Sequence, residues 1–145
     1  MKTGKIRPIT ICLLLDEGRL FVFEGYDTVK KQTFYRPLGG AIEFGETSDQ
    51  ALRREMREEV NAELTNLRYL GALENIFTCD GKMGHEIVLV YRADFSDPVM
   101  YSQDVIMGND DGGEMKSLWK PLAEFASGQA ILVPNGLLEM LAKDN

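Results

Sequence analysis

Three glutamates within one helical turn, Glu55, Glu58 and Glu59, are the residues of this chain best placed to do chemistry. They follow directly on a segment rich in glycine and acid, Gly39-Gly40-Ala41-Ile42-Glu43-Phe44-Gly45-Glu46. Clustered carboxylates repel one another, and a divalent cation relieves that repulsion. Oxygen ligands beside a tight loop suit an ion such as Mg²⁺, and such an ion suits chemistry on phosphates.

A helix rich in Glu and Arg can also be a plain solvated surface, so placement decides between the two readings. At ~100° per residue, Leu52, Met56 and Val60 form an apolar seam, with Arg53, Arg54 and Arg57 on the far, solvent arc. Glu55, Glu58 and Glu59 fill the remaining arc, and Glu59 borders the seam. Fully exposed like charges one turn apart cost only about a few tenths of a kcal/mol. At ~6 Å and an effective dielectric near 20, each pair costs roughly 2–3 kcal/mol. A half-buried trio therefore takes a divalent ion or keeps some carboxyls protonated, and metal binding is the better reading. Gly39 and Gly40 let the backbone approach a ligand closely, so that an exposed carbonyl there can join the metal shell. Glu46 and Arg54 are spaced to pair and to fix the loop to the helix.

The elements that must position these groups are legible in outline. Residues 9–15 and 20–26 are apolar runs separated by Asp16-Glu17-Gly18-Arg19, which reads as a β-hairpin. A short strand is predicted around residues 33–36, ended by Pro37. A helix is predicted from a cap at Thr47 or Ser48 to Val60, and Asn61 tolerates the left-handed conformation that stops helices. Further strands are expected over residues 64–74 and 85–95, with a last one over 114–122 around Trp119. Residues 96–113 show no periodicity and read as a long loop, of a length that is more often functional or mobile than merely connecting. A turn at 123–127 and a helix over 134–142 complete the chain. Strands interleaved with hairpins and two helices indicate an α/β fold, a mixed sheet with helices packed on it, in one domain over residues 1–145.

Composition narrows the function classes. The chain is 44% hydrophobic and 27% charged, which is ordinary for a globular protein, and no apolar run approaches the ~20 residues of a membrane span. The N-terminus lacks the features of a signal peptide. Cys12 and Cys79 make no disulfide framework, so the expected compartment is a reducing cytoplasm. A net charge of −7 argues against an extended nucleic-acid partner. It leaves room for a small phosphorylated substrate, because bound metal reverses the local field.

Gly40, Glu46, Arg54, Glu55, Met56, Glu58 and Glu59 fit the spacing G-x5-E-x7-R-E-U-x-E-E-x-G-U, where U is a bulky aliphatic. This resembles the Nudix hydrolase signature. The flanking glycine segment and Leu118-Trp119-Lys120-Pro121-Leu122 extend the resemblance over most of the chain. Asn61 and Ala62 depart from the last two positions, while every ligand position is intact.

The resemblance implies an α/β/α sandwich around a mixed β-sheet. It also implies hydrolysis of a nucleoside diphosphate linked to a further group: a nucleoside triphosphate, a nucleotide sugar or ADP-ribose. By the same analogy Glu55, Glu58, Glu59 and the Gly40 carbonyl hold Mg²⁺ or Mn²⁺, and Glu46 pairs with Arg54 rather than doing chemistry. Glu59 is the first candidate for the general base and Glu114 the second. Tyr35 and Arg36 are candidates for ribose or phosphate contacts, against surface charge as the plain role for Arg36. Phe77 is a candidate to stack on a base, against a place in the core. Glu86 either reaches the metal site or makes a structural ion pair. The alternative to an enzyme is a nucleotide-binding sensor that keeps the fold without turnover. An acidic interaction domain, the third reading, would bind no divalent ion specifically. Oligomeric state, monomer or homodimer, stays open.

Overall fold

The computed structural model describes residues 4–110 and 112–144. Apolar alternation builds β1 (Arg7–Asp16), which sends Ile9, Ile11 and Leu13 to one face and Cys12 and Leu14 to the other, all fully buried. Glu17 and Gly18, at φ 49° and 75°, then turn the chain into β2 (Arg19–Asp27). Two successive positive φ values match the twist of paired strands, and the expected hairpin forms with Leu15 opposite Leu20. β3 (Gln32–Pro37) pairs with β2 and ends at Pro37 as expected.

The glycine segment is more ordered than a loop. It opens with a short strand, β4 (Gly39–Ala41), that pairs with β1. At Gly39 φ is 152°, and a Cβ there would lie 1.9 Å from the Thr10 carbonyl oxygen. Only glycine lets these two backbones meet. Helix α1 (Ser48–Val60) begins at Thr47, whose side chain accepts from the Gln50 N–H while the Gln50 side chain accepts from the Thr47 N–H. This reciprocal cap satisfies two donors that a helix start leaves open. Asn61 ends the helix at φ 52° and ψ 44°, the left-handed conformation expected of it.

Three expectations are corrected beyond this point. β5 (Leu64–Cys79) and β6 (Lys82–Phe95) run well past the expected ends, to a turn at Asp80-Gly81. The extra residues include Asn75, Thr78, Lys82 and Gly84, which give little apolar alternation because this hairpin end projects beyond the core. Second, residues 96–113 are not a plain loop. They contain a 3₁₀ turn (Pro98–Tyr101) and β7 (Val105–Asp110), which pairs with β8 (Gly113–Pro121). Along β7 the apolar Val105 and Met107 are exposed and the buried residue is Gly108, so no apolar stripe marks the strand. Third, a short helix, α2 (Leu122–Ala126), stands where a turn was expected, and the last helix, α3 (Leu137–Lys143), starts after Gly136 rather than at Pro134.

The strand order is β5-β6-β1-β2-β8-β7, with β3 added to β2 and β4 to β1. β1 and β6 are parallel and the other named pairs antiparallel, so the sheet is mixed. α1 buries Leu52, Met56 and Val60 against Cys12, Leu14 and Phe21. On the opposite face Phe125 of α2 and Leu137 of α3 cover Ile9, Ile11 and Leu13. Each such side chain contributes about 1.5–3 kcal/mol on burial, and the two cores give the expected α/β/α sandwich. Among the described residues, no helix is long and apolar enough to cross a membrane. β1 pairs with β4 at Ile9–Ile11 but with β2 only at Leu15 and Asp16. The sheet therefore forks, and a cleft opens between β2–β3 and β5–β6.

Candidate active site

α1 packs against β4 beside the cleft; neither lines it, and Arg36 of the lining feels the charges of Glu59 and Glu55. Glu55 and Glu59, one turn apart on α1, face the glycine segment, and Glu59 is only 6% exposed. A Cβ on Gly40 would fall 2.4 Å from the Glu55 carboxyl carbon, so the carboxylate occupies the space that a side chain would take. The Gly39 N–H lies against the Glu59 carboxylate and favours its charged form, and the Glu59 Oε1 is buried without a partner among the described residues. Burial first, and then the charges of Glu55 and Asp110, push the Glu59 carboxyl up to about 8, against the opposing influence of Arg36 and the Gly39 N–H.

Arg54 ties the segment together, as its spacing from Glu46 predicts. Its Nε and Nη2 donate to the two Glu46 oxygens at 2.7 and 2.9 Å, and Nη2 also reaches the Ala41 carbonyl at 3.0 Å. A two-point contact of this kind fixes geometry as well as charge. The hydrogen bond from Arg54, with the Glu43 N–H, holds the Glu46 carboxyl down to about 2. Nη1 of Arg54 reaches Glu55 at 3.0 Å and Glu58 at 3.3 Å. This corrects the helix wheel, which put Arg54 on the solvent arc with Arg53 and Arg57. The side chain is instead 23% exposed and folds inward over the carboxylates.

Glu58 is 57% exposed and turned towards Arg54. Among the described residues no three Asp, Glu, His or Cys side chains converge on one point. The donors still fit a hard divalent cation. They are all oxygens, and the orphaned Glu59 Oε1 beside the Glu55 charge is a buried acceptor that a cation would satisfy. Glu114 is exposed at the β7–β8 hairpin opposite Asn109, and the carboxylate of that hairpin that acts on Glu59 is Asp110.

The cleft encloses about 500 Å³ and is lined by Arg36 and Phe77 among others, but not by Tyr35. Tyr35 points to the opposite face, where it packs on Phe125 and its hydroxyl donates to Glu24 at 3.0 Å. Arg36 lies over the Phe23 ring at 5.0 Å, and its Nε–H is buried without a partner among the described residues. Burial draws its pKa down, while Glu86, Glu59 and Glu55 act against that. Glu86, 4% exposed, accepts from the Asn75 amide at 3.2 Å and lines the same cleft. At the outer end the Thr28 N–H and hydroxyl donate to Asp80 at 2.7 and 2.8 Å, and Lys30 Nζ donates to the Thr78 carbonyl at 2.8 Å. These contacts hold the two hairpin tips together.

Sequence reasoning missed Gly108. A Cβ there would come 2.0 Å from the Glu59 carbonyl oxygen, so β7 passes directly against the end of α1. The available signal was a glycine in a segment without periodicity, which read as loop chemistry.

Known proteins are similar to this chain in sequence and in fold. The NUDIX domain family profile matches residues 5–141. An NAD-capped RNA hydrolase, NudC of Pseudomonas aeruginosa, is 36% identical over 61 residues, covering 42% of this chain and 20% of that protein. The chain thus matches about a fifth of the length of that relative. Among solved structures, a NUDIX hydrolase from Nitrosomonas europaea superposes with a TM-score of 0.67 at 16% identity, over 95% of this chain and 87% of that one. The E. coli ORF135 protein gives 0.60 at 19% identity, over 95% and 88%. These two likenesses concern the fold. The family follows from the profile, which spans nearly the whole sequence: the chain belongs to the Nudix hydrolase family.

Proposed function

We propose that this Nudix hydrolase uses a divalent metal ion and water to split a phosphoanhydride bond in a nucleoside diphosphate linked to a further group. The observation that carries the reading is Arg36. It lines the cleft with Glu86, and the charges of Glu86, Glu59 and Glu55 all act on it. A substrate in the cleft would therefore bring its phosphates to a guanidinium with an unpartnered N–H, next to the carboxylates.

Each residue has a distinct task. Arg36 binds phosphate oxygens, for which a planar guanidinium is suited. Glu55, Glu58, Glu59 and the Gly40 carbonyl would hold Mg²⁺ or Mn²⁺. When bound, such an ion polarises a phosphoryl oxygen and lowers the pKa of water. Glu59, oriented by the Gly39 N–H, takes the proton of the attacking water, and Glu114 is the second candidate for that task. Glu46 and Arg54 hold the glycine segment against α1. Phe77 contacts the nucleoside part. Tyr35 packs in the opposite core, which leaves substrate contact to Arg36. Free Cys12 and Cys79 fit a reducing compartment such as the cytoplasm.

The experiment is a hydrolysis panel with Mg²⁺ and mass-spectrometric product identification. It spans nucleoside triphosphates, ADP-ribose, nucleotide sugars, NAD and NAD-capped RNA, the last two because of the named relative. Turnover that needs Mg²⁺ and is lost in Glu59→Gln supports the reading; turnover unaffected by chelation would end it. One observation favours a nucleotide-binding sensor instead. Arg54 contacts Glu46, Glu55 and Glu58 together, so one guanidinium offsets part of the cluster's charge without a cation. Nucleotide binding with no product from any member of the panel would support that alternative.

A further inference from the structure

From Ile9 to Leu14 β1 is apolar except at one position, Thr10. Thr10 is fully buried, and its hydroxyl has no hydrogen-bond partner among the described residues. A strand core would take valine there, of the same shape, because a buried hydroxyl with nothing to bond costs stability. Three other buried side-chain atoms share this state among the described residues: Glu59 Oε1, Arg36 Nε and Ser117 Oγ. The first two belong to the site already described. Such atoms are uncommon in folded interiors, so the position of Thr10 relative to that site matters.

Two periodicities fix that position. Alternation along β1 puts Thr10 on the face of Cys12 and Leu14, which is the face that α1 covers. Across the strand pair Thr10 stands opposite Gly40. Opposed residues project to one face, with Cβ positions about 4.5–5.5 Å apart. The Cβ position of Gly40 is itself 2.4 Å from the Glu55 carboxyl carbon. The Thr10 Cβ therefore lies no more than about 8 Å from that carbon, a span that a hydrogen bond or one bridging water closes. Gly40 puts no side chain between them. Nor can the strands slide, since a Cβ on Gly39 would fall 1.9 Å from the Thr10 carbonyl oxygen.

We infer that Thr10 is a positioning residue of the metal site. Its hydroxyl donates to the Glu55 carboxylate, directly or through one buried water, and fixes the direction in which that carboxylate holds the cation. This rests on the metal-dependent reading proposed above. Arg54 Nη1 approaches Glu55 Oε1 at 3.0 Å, and a carboxylate has lone pairs enough for that contact, the ion and the hydroxyl. Groups that hydrogen-bond a metal's ligands orient them, and their loss costs roughly 10–100-fold in metal affinity.

The test counts bound ion rather than turnover. Mn²⁺ alone is titrated into the full chain and the free ion is followed by electron paramagnetic resonance. The samples are wild type, Thr10→Val, Thr10→Ser, Thr10→Ala and Glu55→Gln, each also unfolded thermally without metal. Thr10→Val keeps the shape and loses the hydroxyl, so Mn²⁺ should bind roughly 10–100-fold more weakly while Tm holds or rises. Thr10→Ser keeps the hydroxyl and loses a buried methyl, so Tm should fall by about 2–4 °C while Mn²⁺ affinity stays that of wild type. Thr10→Ala differs from Thr10→Ser by the hydroxyl alone and should bind Mn²⁺ as weakly as Thr10→Val. A hydroxyl with a purely structural role cannot separate stability from affinity in this crossed way. Wild-type affinity in folded Thr10→Val or Thr10→Ala overturns the inference, as does Thr10→Ser binding as weakly as Thr10→Val. If Glu55→Gln binds Mn²⁺ like wild type, the metal reading itself falls and the role of Thr10 with it.

Discussion

The glycine segment with α1 and the outer walls of the cleft are built on opposite plans. In the first, residues 39–60, most contacts are local in sequence and several act at once. Thr47 and Gln50 cap each other, Arg54 makes a two-point contact with Glu46, Gly39 meets the Thr10 backbone at a distance that no side chain allows, and the Glu55 carboxylate fills the space beside Gly40. In the second, the partners are about fifty residues apart, as Thr28 and Asp80 are, and most of them are exposed. The glutamate cluster is fixed by several contacts at once, whereas the cleft is held by a few exposed hydrogen bonds between hairpin tips. On the function proposed above, chemistry falls to the tightly specified region and recognition to the adjustable one, and the two meet at Arg36.

The largest effect that would break this division is loss of turnover at the centre without loss of fold. Glu59→Gln keeps size and hydrogen-bonding capacity but removes the proton acceptor, so Mg²⁺-dependent hydrolysis should fall by about 10²–10⁴-fold. Burial holds the Glu59 carboxyl protonated up to about 8, against an ordinary 4.5, which costs stability near neutral pH; glutamine carries no such cost, so thermal stability should hold or rise. If Glu114→Gln lost turnover and Glu59→Gln did not, the base would belong to the β7–β8 hairpin and the division would fail.

Two glycine-to-alanine changes sharpen the comparison. In Gly108→Ala the new methyl meets backbone, the Glu59 carbonyl, so strand or helix must move. A loss of about 1–3 kcal/mol is expected in denaturant unfolding. In Gly40→Ala the methyl meets a side-chain carboxylate, which can swing away. Stability should then change by less than about 1 kcal/mol, while hydrolysis drops because Glu55 has been moved. Comparable unfolding midpoints for the two variants would show that both glycines serve packing only.

This contrast also separates what the chain's one-dimensional pattern reveals from what it hides. Gly40 sits in a segment whose spacing to Glu46, Arg54, Glu55, Glu58 and Glu59 is regular, so both helix and cluster are legible. The apolar runs of β1 and β2 are legible because Ile9, Ile11, Leu13, Leu20 and Val22 fill a core. Gly108 is not, because its reason for being glycine is the backbone of a residue forty-nine positions earlier (108 − 59). The outer half of the β5–β6 hairpin is hidden for a related reason. Asn75, Phe77 and Glu86 serve a cleft, whose lining mixes polar and apolar residues and leaves no period to read. Arg54 was placed on the wrong side because a wheel assigns direction from the backbone alone. A long side chain bends towards the carboxylates that attract it.

A smaller effect comes from acid. Glu46 titrates at about 2 in the folded chain against an ordinary 4.5, so the folded state binds the proton more weakly than the unfolded state. Its stabilising contribution is complete above pH 4.5 and is lost as pH falls towards 2. Acid unfolding followed by circular dichroism should therefore be steeper in wild type than in Glu46→Gln across that window. Coincident acid transitions would mean that the Glu46–Arg54 contact adds no stability, and that its value lies in geometry alone.

The smallest effect is expected where the cleft is closed at its tips. Asp80→Ala removes the acceptor of both Thr28 hydrogen bonds, yet Asp80 and Thr28 are exposed and water replaces much of what is lost. Global stability should fall by less than about 1 kcal/mol. The local consequence is larger than the global one, because Asp80 is the partner that holds the Thr28 amide at the tip among the described residues. Hydrogen exchange at residues 28–30 should speed up in Asp80→Ala, with exchange in α1 unchanged. Should α1 respond as strongly as the tips, the cleft walls and the reaction centre would be one cooperative unit, and recognition would not be adjustable separately from chemistry.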